Sequence, residues 1–203
     1  MRIIRKRIGA WEMSPWTFEI RFVKKILQPE LKLRSDVLIP FAGQTRFTKK
    51  NVIYVDIMDG LPKPYFQMNV LDFLKDYVKS FDLIIADPPY SSNQAVRTYN
   101  NEKHQEITMY KNAFDKVLRP GGIIYFFGYN STGMGRKRGY EMTDIYLLNL
   151  AGSHNDIIIT REVKTQQSLE DFNCHACNDS KIGSMKTDVY GEPKEENPCE
   201  ECQ

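Results

Sequence analysis

Four consecutive residues, Asp87-Pro88-Pro89-Tyr90, carry the chemistry of this sequence, and they directly follow the short apolar run 81–86. Neither proline has an N–H to give to a sheet, so the strand that this run predicts must stop there in a stiff turn. The turn presents a carboxylate, backbone carbonyls and an aromatic ring together. These groups suit a flat substrate with an amino group, because oxygens can accept both N–H bonds while the ring stacks on the substrate.

The tetrapeptide Asp-Pro-Pro-Tyr after an apolar strand resembles the catalytic motif of the S-adenosylmethionine-dependent amino-methyltransferases, which methylate adenine N6 or cytosine N4 in DNA. Relatives with a similar tetrapeptide act on RNA guanine or on a protein glutamine amide. The resemblance implies that Asp87, Pro88, Pro89 and Tyr90 are catalytic. Asp87 and the Pro88 carbonyl would accept the protons of the amine, and Tyr90 would stack on a base flipped out of the duplex.

The same resemblance implies a cofactor pocket at the carboxyl ends of the strands, where ligands of open α/β sheets bind. Asp56 ends the second predicted strand and would accept the ribose hydroxyls, and Asp72 would bind the adenine amine. Taken singly, each acid is more typical of a helix cap or an exposed surface position than of a cofactor site. The implied cofactor-binding residues are Pro40, Phe41, Gly43, Asp56, Asp72 and Asp87.

The glycine loop departs from the pattern of the family. Phe41-x-Gly43 is present, but Thr45 stands where the second glycine of Phe-x-Gly-x-Gly belongs. Only residues 42–51 connect the two strands, which is close to the minimum for a crossover helix. We therefore expect a stunted helix and a reshaped wall of the pocket, while the glycine by itself could be an ordinary strand end.

Strands that alternate with helices predict an α/β fold. The expectation is a Rossmann-like class I methyltransferase sheet, mostly parallel with an antiparallel C-terminal edge strand, over residues 1–164, followed by a small acidic tail with four cysteines over 165–203. The expected strands are 36–41, 51–56, 68–71, 83–86 and 123–127, with a closing hairpin of 145–150 and 156–163. The expected helices begin at Ser14, Asp72 and residue 105 and end at Pro29, Lys79 and Leu118, the last before the turn Arg119-Pro120-Gly121-Gly122.

Charge is distributed unevenly behind a net charge of +2. Residues 1–50 hold 12 Lys and Arg against 4 Asp and Glu, whereas residues 165–203 hold 3 against 9. A basic N-terminal third can hold phosphates, or it can be a solvated surface. The triplet Arg136-Lys137-Arg138 is the candidate for phosphate contacts near the active face, and the loop 91–105 either borders the substrate or is a plain surface loop.

The tail contains two Cys-x-x-Cys pairs, formed by Cys174 with Cys177 and by Cys199 with Cys202. The spacing favours a structural zinc site, although 21 intervening residues slightly exceed the usual window. Disulfides and an unmetallated tail are the alternatives. The acidic charge of the tail argues against a grip on DNA and favours a structural clip or a protein contact.

No run of about twenty apolar residues is present, and the basic N-terminus lacks the apolar stretch of a signal peptide, so we expect a cytoplasmic protein without a membrane partner. The leading expectation is methylation of adenine N6 in DNA. The alternatives are an RNA methyltransferase acting on guanine N2 or adenine N6, and a non-catalytic zinc-bearing nucleic-acid-binding protein. No segment is large enough for a recognition domain, so specificity would come from loops, a homodimer or a partner protein.

Overall fold

The computed structural model describes residues 1–49, 51–89, 106–150 and 156–165, all within the compact unit Met1–Gln167. In these residues the strands are β1 (Arg2–Arg7), β2 (Val37–Pro40), β3 (Val52–Asp56), β4 (Phe66–Gln67), β5 (Phe81–Ala86), β6 (Leu118–Gly128), β7 (Tyr140–Asn149) and β8 (Ile157–Lys164). The helices are α1 (Arg21–Leu33), α2 (Val70–Lys75) and α3 (Ile107–Val117), with short 3₁₀ turns at Ala10–Glu12, Thr17–Glu19 and Arg136–Arg138.

The described strands form one eight-stranded sheet in the order β1-β7-β8-β6-β5-β2-β3-β4. All neighbours pair in parallel except β8, which is antiparallel to both β6 and β7. The expected mostly parallel α/β sheet is confirmed, and β7 and β1 continue the sheet beyond the antiparallel strand. Seven strands therefore end at the same side, which we call the carboxyl edge, and the opposite side is the amino edge.

Strand β1 has no counterpart among the expected strands. It pairs in parallel with β7, from Arg2 opposite Asp144 to Arg7 opposite Asn149. Four of its six residues are basic, and this charge conceals the alternation that usually indicates a strand. The backbone N–H of Ile8 then donates to the Asn149 carbonyl at 2.9 Å, so the chain leaves β1 at the carboxyl edge.

The first helix differs from its expected bounds at both ends. Ser14 does not begin it; its hydroxyl instead accepts the backbone N–H of Trp16 at 3.1 Å, and an extended Ile20 separates the short turn Thr17–Glu19 from α1. The helix then continues past Pro29 to Leu33. Its buried face, Val23, Leu27 and Leu31, gains enough from packing to offset the hydrogen bond that the proline removes.

The segment before β5 also differs from the expectation. The strand is only Phe66–Gln67, and α2 begins at Val70 rather than at Asp72. Asn69 is the cause, because its side-chain oxygen accepts the backbone N–H of Leu71 at 2.8 Å and caps the helix at that point. Strand β5, helix α3 and strand β8 lie close to their expected bounds. By contrast, β6 and β7 begin five residues earlier than expected, so the expected turn 119–122 lies within β6.

Two apolar layers cover the faces of the sheet, and β5 shows how the sequence divides between them. Leu83 and Ile85 pack on the layer of α1, while Ile84 and Ala86 pack on the layer of α2 and α3. All six residues of β5 are buried, so the strand is held firmly on both sides. None of the helices in the described ranges is long and apolar enough to cross a membrane.

Candidate active site

A cavity of about 200 Å³ opens at the carboxyl edge, where β2, β3 and β5 end. Its walls come from the segments that follow these strands, from the start of α2, from α3 and from the chain before α1. The lining residues are Pro15 to Phe18, Phe41 to Gly43, Thr45, Asp56 to Met58, Met68 to Val70, Asp87, Pro89 and Tyr110. The cavity therefore joins the glycine loop and the Asp-Pro-Pro turn, which lie 44 residues apart in the sequence (43 and 87).

Gly43 holds a conformation that a side chain would disturb. Its φ is +52°, in the left-handed region, and a Cβ atom added there would lie 2.6 Å from the ring of Trp16. Its backbone N–H donates to Oδ2 of Asp56 at 2.7 Å. The glycine is required here because its φ is positive and the indole of Trp16 approaches the backbone closely.

Asp56 joins the two loops that form the floor of the cavity. The residue is only 5% exposed, and its second oxygen, Oδ1, accepts the backbone N–H of Met58 at 2.9 Å. A carboxylate offers about four lone-pair sites, so each oxygen keeps acceptor capacity for a ligand. The expected role of Asp56 as an acceptor for hydroxyl groups is compatible with this geometry and stays a prediction.

Thr45 places a hydrogen-bonding group in the wall of the cavity without a partner. The residue is 1% exposed, and its Oγ1 makes no hydrogen bond within the described part of the chain. An unpaired buried hydroxyl costs roughly 1–3 kcal/mol, which a polar ligand can recover. Thr45 occupies the position of the missing second glycine, so the departure from the family pattern adds a donor and acceptor to the site.

The connection between β2 and β3 forms no helix in its described residues, and Arg46 stabilises it instead. Nη1 of Arg46 donates to the carbonyls of Gly43 and Thr45 at 2.8 and 2.6 Å, while Nε donates to the Pro62 carbonyl at 2.7 Å. The guanidinium lies 4.7 Å from the ring centre of Tyr54. Burial lowers the pKa of Arg46, yet an arginine remains charged near neutral pH.

The Asp-Pro-Pro turn lies where the sequence predicts it. Asp87 is half-buried just beyond β5, Pro88 and Pro89 are buried, and Asp87 and Pro89 face the cavity. Tyr90 lies outside the described residues, as does the loop 91–105. The described wall beside the turn is aromatic.

The aromatic wall is formed by two residues from different elements. Phe41 adopts a positive φ of 59° and turns into the cavity, whereas Pro40 remains buried at the end of β2 and does not line it. The ring of Tyr110, from α3, meets the ring of Phe41 edge to face at 5.1 Å. The periodicity of α3 predicts Tyr110 on its buried face but does not indicate that this face reaches the cavity.

The structure does not bring Asp72 to the cavity. Asp72 is exposed in the first turn of α2, and the residue of this segment that lines the cavity is Asn69. The three-residue difference follows from the early start of α2. The sequence signal was available, because an asparagine before an apolar helix is a common N-cap.

The structure also separates the basic triplet from the cavity. Arg136–Arg138 directly precedes β7, whose first residue Tyr140 pairs with Lys164 at the end of β8, so the triplet lies at the amino edge. Arg136 and Lys137 are exposed, whereas Arg138 donates to Oδ1 of Asn112 at 2.8 and 3.1 Å. The connection from β6 crosses the height of the sheet, which is why the expected position near the active face is not observed.

No pattern in the sequence indicates that residues 15–18 line the cavity. Their spacing predicts the first turn of a helix, but Pro15 to Phe18 form an irregular segment and a short turn. The contact of Trp16 with Gly43 joins positions 27 residues apart, and no local pattern reports it.

The four cysteines of the predicted zinc site lie outside the described residues. In the described ranges no group of three or more His, Cys, Asp or Glu side chains could hold a metal ion. The polar side chains that line the cavity include the hydroxyl groups of Thr17, Thr45 and Tyr110, the carboxylates of Asp56 and Asp87 and the amide of Asn69. This set suits an elongated ligand with hydroxyl and amino groups.

Comparisons with known proteins find similar folds among solved structures. No protein-family model matches the chain, and no curated protein does. Among solved structures, the N-methyltransferase NodS from Bradyrhizobium japonicum WM9, in complex with S-adenosyl-L-homocysteine, is 14% identical with a TM-score of 0.53 over 77% of this chain and 92% of that one. The 1,6-didemethyltoxoflavin-N1-methyltransferase from Burkholderia thailandensis, with 1,6-didemethyltoxoflavin and S-adenosylhomocysteine bound, is 16% identical with a TM-score of 0.51 over 72% and 78%.

The chain therefore has the class I fold of the S-adenosylmethionine-dependent methyltransferases. The sheet order and the position of the cavity at the carboxyl edge belong to this fold. The low identities limit the finding to the fold. The acceptor of the methyl group has to be argued from the residues of the site.

Proposed function

We propose that this protein is an S-adenosylmethionine-dependent methyltransferase that modifies the exocyclic amino group of a nucleobase, with adenine N6 in DNA as the leading acceptor. One observation carries the proposal: Asp87 and Pro89 line the same cavity as Gly43, Asp56 and Thr45. A bound cofactor and an acceptor amine at Asp87 would thus be neighbours. Two structural neighbours hold S-adenosylhomocysteine, which supports the choice of cofactor.

The residues of the cavity fit this cofactor. Asp56 would accept the ribose hydroxyls with its remaining lone pairs, and Thr45 would give its unpaired hydroxyl to the polar methionine end beside Gly43. We assign the adenine contact to Asn69 rather than Asp72, because its amide faces the cavity while its oxygen caps α2. Met68 and Val70 supply apolar surface on either side of this amide.

The acceptor chemistry follows from the rigid turn. When bound, S-adenosylmethionine supplies a sulfonium methyl group that a nitrogen lone pair can attack. Asp87 and the Pro88 carbonyl accept hydrogen bonds from the two N–H groups of the amine and so draw its lone pair out of conjugation with the ring. The nitrogen would gain the methyl group as the bond from sulfur to that methyl breaks, and it would then lose one proton to Asp87 or to water. Positioning by the buried prolines adds to the rate, and such orientation contributes roughly 7–11 kcal/mol in favourable cases.

Removing the Thr45 hydroxyl should preserve or raise the stability of the unliganded protein and lower its affinity for S-adenosylhomocysteine. Thr45→Val replaces an unpaired buried hydroxyl with a methyl group of similar size. We expect the unliganded protein to unfold at an equal or higher temperature, because the unpaired group is removed. S-adenosylhomocysteine should bind about 5- to 10-fold more weakly, since one hydrogen bond is worth about 1 kcal/mol. Thermal unfolding and titration calorimetry on the same two samples check both signs.

A transfer assay tests the proposed function. Purified protein is incubated with radiolabelled S-adenosylmethionine and, in parallel, duplex DNA, single-stranded DNA or tRNA, and the nucleosides are then analysed by mass. We expect N6-methyladenine in DNA. N2-methylguanine or N6-methyladenine in tRNA alone would replace the DNA acceptor with the RNA alternative. If calorimetry detects no binding of S-adenosylhomocysteine, the remaining alternative is a non-catalytic nucleic-acid-binding protein with this fold.

The zinc site at Cys174, Cys177, Cys199 and Cys202 stays a prediction from the sequence. We expect one zinc per chain in the purified protein, measured by atomic spectroscopy, and its loss in the double variant Cys174→Ser/Cys199→Ser. The variant should retain its affinity for S-adenosylhomocysteine, since the proposed contacts with this ligand come from Asp56, Thr45 and Asn69. A metal content near zero in the wild-type protein would remove the prediction.

A further inference from the structure

The chain after β1 lies at the same edge of the sheet as the cavity. β1 is parallel to β7, and both β7 and β6 are antiparallel to β8, so β1 and β6 point the same way. Residues from Ile8 onward therefore emerge at the carboxyl edge, and this segment goes on to line the cavity with Pro15 to Phe18. Trp11 precedes the cavity residue Pro15 by four positions, so the two Cα atoms are at most about 14 Å apart.

Trp11 is the large exposed side chain of this segment. It is 72% exposed, although a tryptophan usually buries most of its surface. Its position is held on two sides. The guanidinium of Arg21 lies 5.2 Å from the ring centre, and a Cβ atom added to Gly9 would lie 2.9 Å from the indole nitrogen. The ring thus lies beside Arg21 and Gly9 while most of its surface faces solvent.

The charge around Trp11 is strongly positive. Residues 1–25 hold 7 Lys and Arg against 2 Asp and Glu. Both acids are engaged, since Glu12 pairs with Lys6 and Glu19 pairs with Lys24. The exposed side chains that pair with no carboxylate among the described residues are Arg5, Arg7, Arg21 and Lys25.

We propose that Trp11, Arg21 and Arg7 form a single-stranded nucleic-acid contact beside the cavity. A base next to the target stacks on Trp11, and the two guanidinium groups contact the neighbouring phosphates. An aromatic ring among cations is the combination that binds single strands without reading their sequence. A second copy of the chain fits less well, because it would bring two surfaces of the same charge together.

The choice of nucleic acid as the partner rests on the proposed function. When a target base leaves a duplex, the bases next to it become more accessible, and one of them stacks on the ring of Trp11. Specificity from such a contact is loose, because every base has a face that can stack.

The two tryptophans of the chain allow each site to be observed separately. Trp11 lies on the exposed surface, and Trp16 lines the cavity, so Trp16→Phe leaves only the first fluorophore and Trp11→Phe only the second. We expect a single-stranded oligodeoxynucleotide to quench the fluorescence of Trp16→Phe by stacking and to change that of Trp11→Phe little. S-adenosylhomocysteine should alter the fluorescence of Trp11→Phe. An RNA of the same sequence, titrated in parallel, distinguishes the two sources of the strand.

Affinity measurements by fluorescence anisotropy give the magnitude. Trp11→Ala should weaken oligonucleotide binding about 5- to 100-fold, the range that one stacked base contributes. Arg21→Ala should weaken it and lower the dependence of log affinity on log salt by about 0.7, the contribution of one contact to a single strand. Lys32→Ala is the matched control, since Lys32 is exposed at the other end of α1, and it should bind as the wild type does.

Three results would overturn this assignment in distinguishable ways. If wild type methylates the oligonucleotide and Trp11→Ala does so with an unchanged KM, the proposed function stands and the Trp11 contact is wrong. If the variant changes a dimer into a monomer in sedimentation, the surface joins two copies. If S-adenosylhomocysteine binds but neither strand does, the nucleic-acid acceptor itself is wrong, and the Trp11 contact with it.

Discussion

Asp87→Ala should abolish methyl transfer while the protein still binds S-adenosylhomocysteine with nearly the wild-type affinity. Asp87 is half-buried on the rigid turn after β5, where it faces the cavity beside Pro89. The variant keeps the turn, because the two prolines define the backbone, but it removes the carboxylate that we propose accepts a hydrogen bond from the acceptor amine. A positioned group of this kind contributes roughly 10²- to 10⁴-fold to a rate, so we expect at least about a 100-fold fall in kcat.

Asp87→Asn provides the stricter version of the same experiment. The asparagine has the same shape and keeps one acceptor oxygen, but it carries no negative charge and cannot take up a proton. We expect the rate of this variant to lie between those of the wild type and the alanine variant. Single-turnover transfer measured at saturating cofactor reports the chemical step directly.

Asp72→Ala is the matched control for both variants. Asp72 is an exposed acid in the first turn of α2 and does not line the cavity, so its removal should leave kcat and cofactor affinity unchanged. Turnover by Asp87→Ala within about tenfold of the wild type would mean that Asp87 has no part in activating the amine. The acceptor would then have to be deprotonated elsewhere.

Most of the sheet could be predicted because each of these strands is recognisable from its own short stretch of sequence. Runs such as 81–86 are apolar on both faces, and the glycine and proline turns mark where they stop. Parallel strands end at the same edge of a sheet, so the alternation of strands and helices also predicted that Gly43, Asp56 and Asp87 lie at one cavity. What the sequence specified well was the part of the site that is built by strand ends.

The parts that were missed depend on contacts between distant residues or on a single cap. β1 is held by pairing with β7, more than 130 residues later in the sequence. Its four basic residues remove the alternation of apolar and polar residues that would indicate a strand. Trp16 closes the cavity through a contact with Gly43 that no periodicity reflects. With Asn69 as its N-cap, α2 begins at Val70, two residues before the expected start at Asp72. Because of this shift, Asn69 lines the cavity and Asp72 does not.

The glycine loop shows how one departure can alter a site without removing it. The family pattern places a glycine where Thr45 stands, and the short connection leaves no room for a full helix. Arg46 replaces that helix as the stabilising element, since it binds two carbonyls of the loop and stacks on Tyr54. The loop therefore keeps the position of Gly43, and the threonine adds a hydroxyl to the wall.

Asp56→Ala should cause the largest loss of cofactor affinity. The carboxylate accepts the N–H groups of Gly43 and Met58 at 2.7 and 2.9 Å, and it keeps lone pairs for two ribose hydroxyls. Hydrogen bonds to a charged group are worth roughly 1.5–3 kcal/mol each, so the loss of two of them predicts about a 100-fold weaker complex or more. Calorimetric titration with S-adenosylhomocysteine measures this change.

The same variant also affects the unliganded protein, and this effect has to be separated from the loss of binding. Two backbone N–H groups lose their buried acceptor, which costs roughly 1–3 kcal/mol per unsatisfied group. We expect a lower unfolding temperature without ligand for Asp56→Ala and a smaller loss for Asp56→Asn, which keeps one acceptor oxygen. If the asparagine variant folds as the wild type does but still binds the cofactor poorly, the ribose contact is the cause. If both variants bind within threefold of the wild type, Asp56 only anchors the loops, and the hydroxyl groups must be bound by another residue of the cavity.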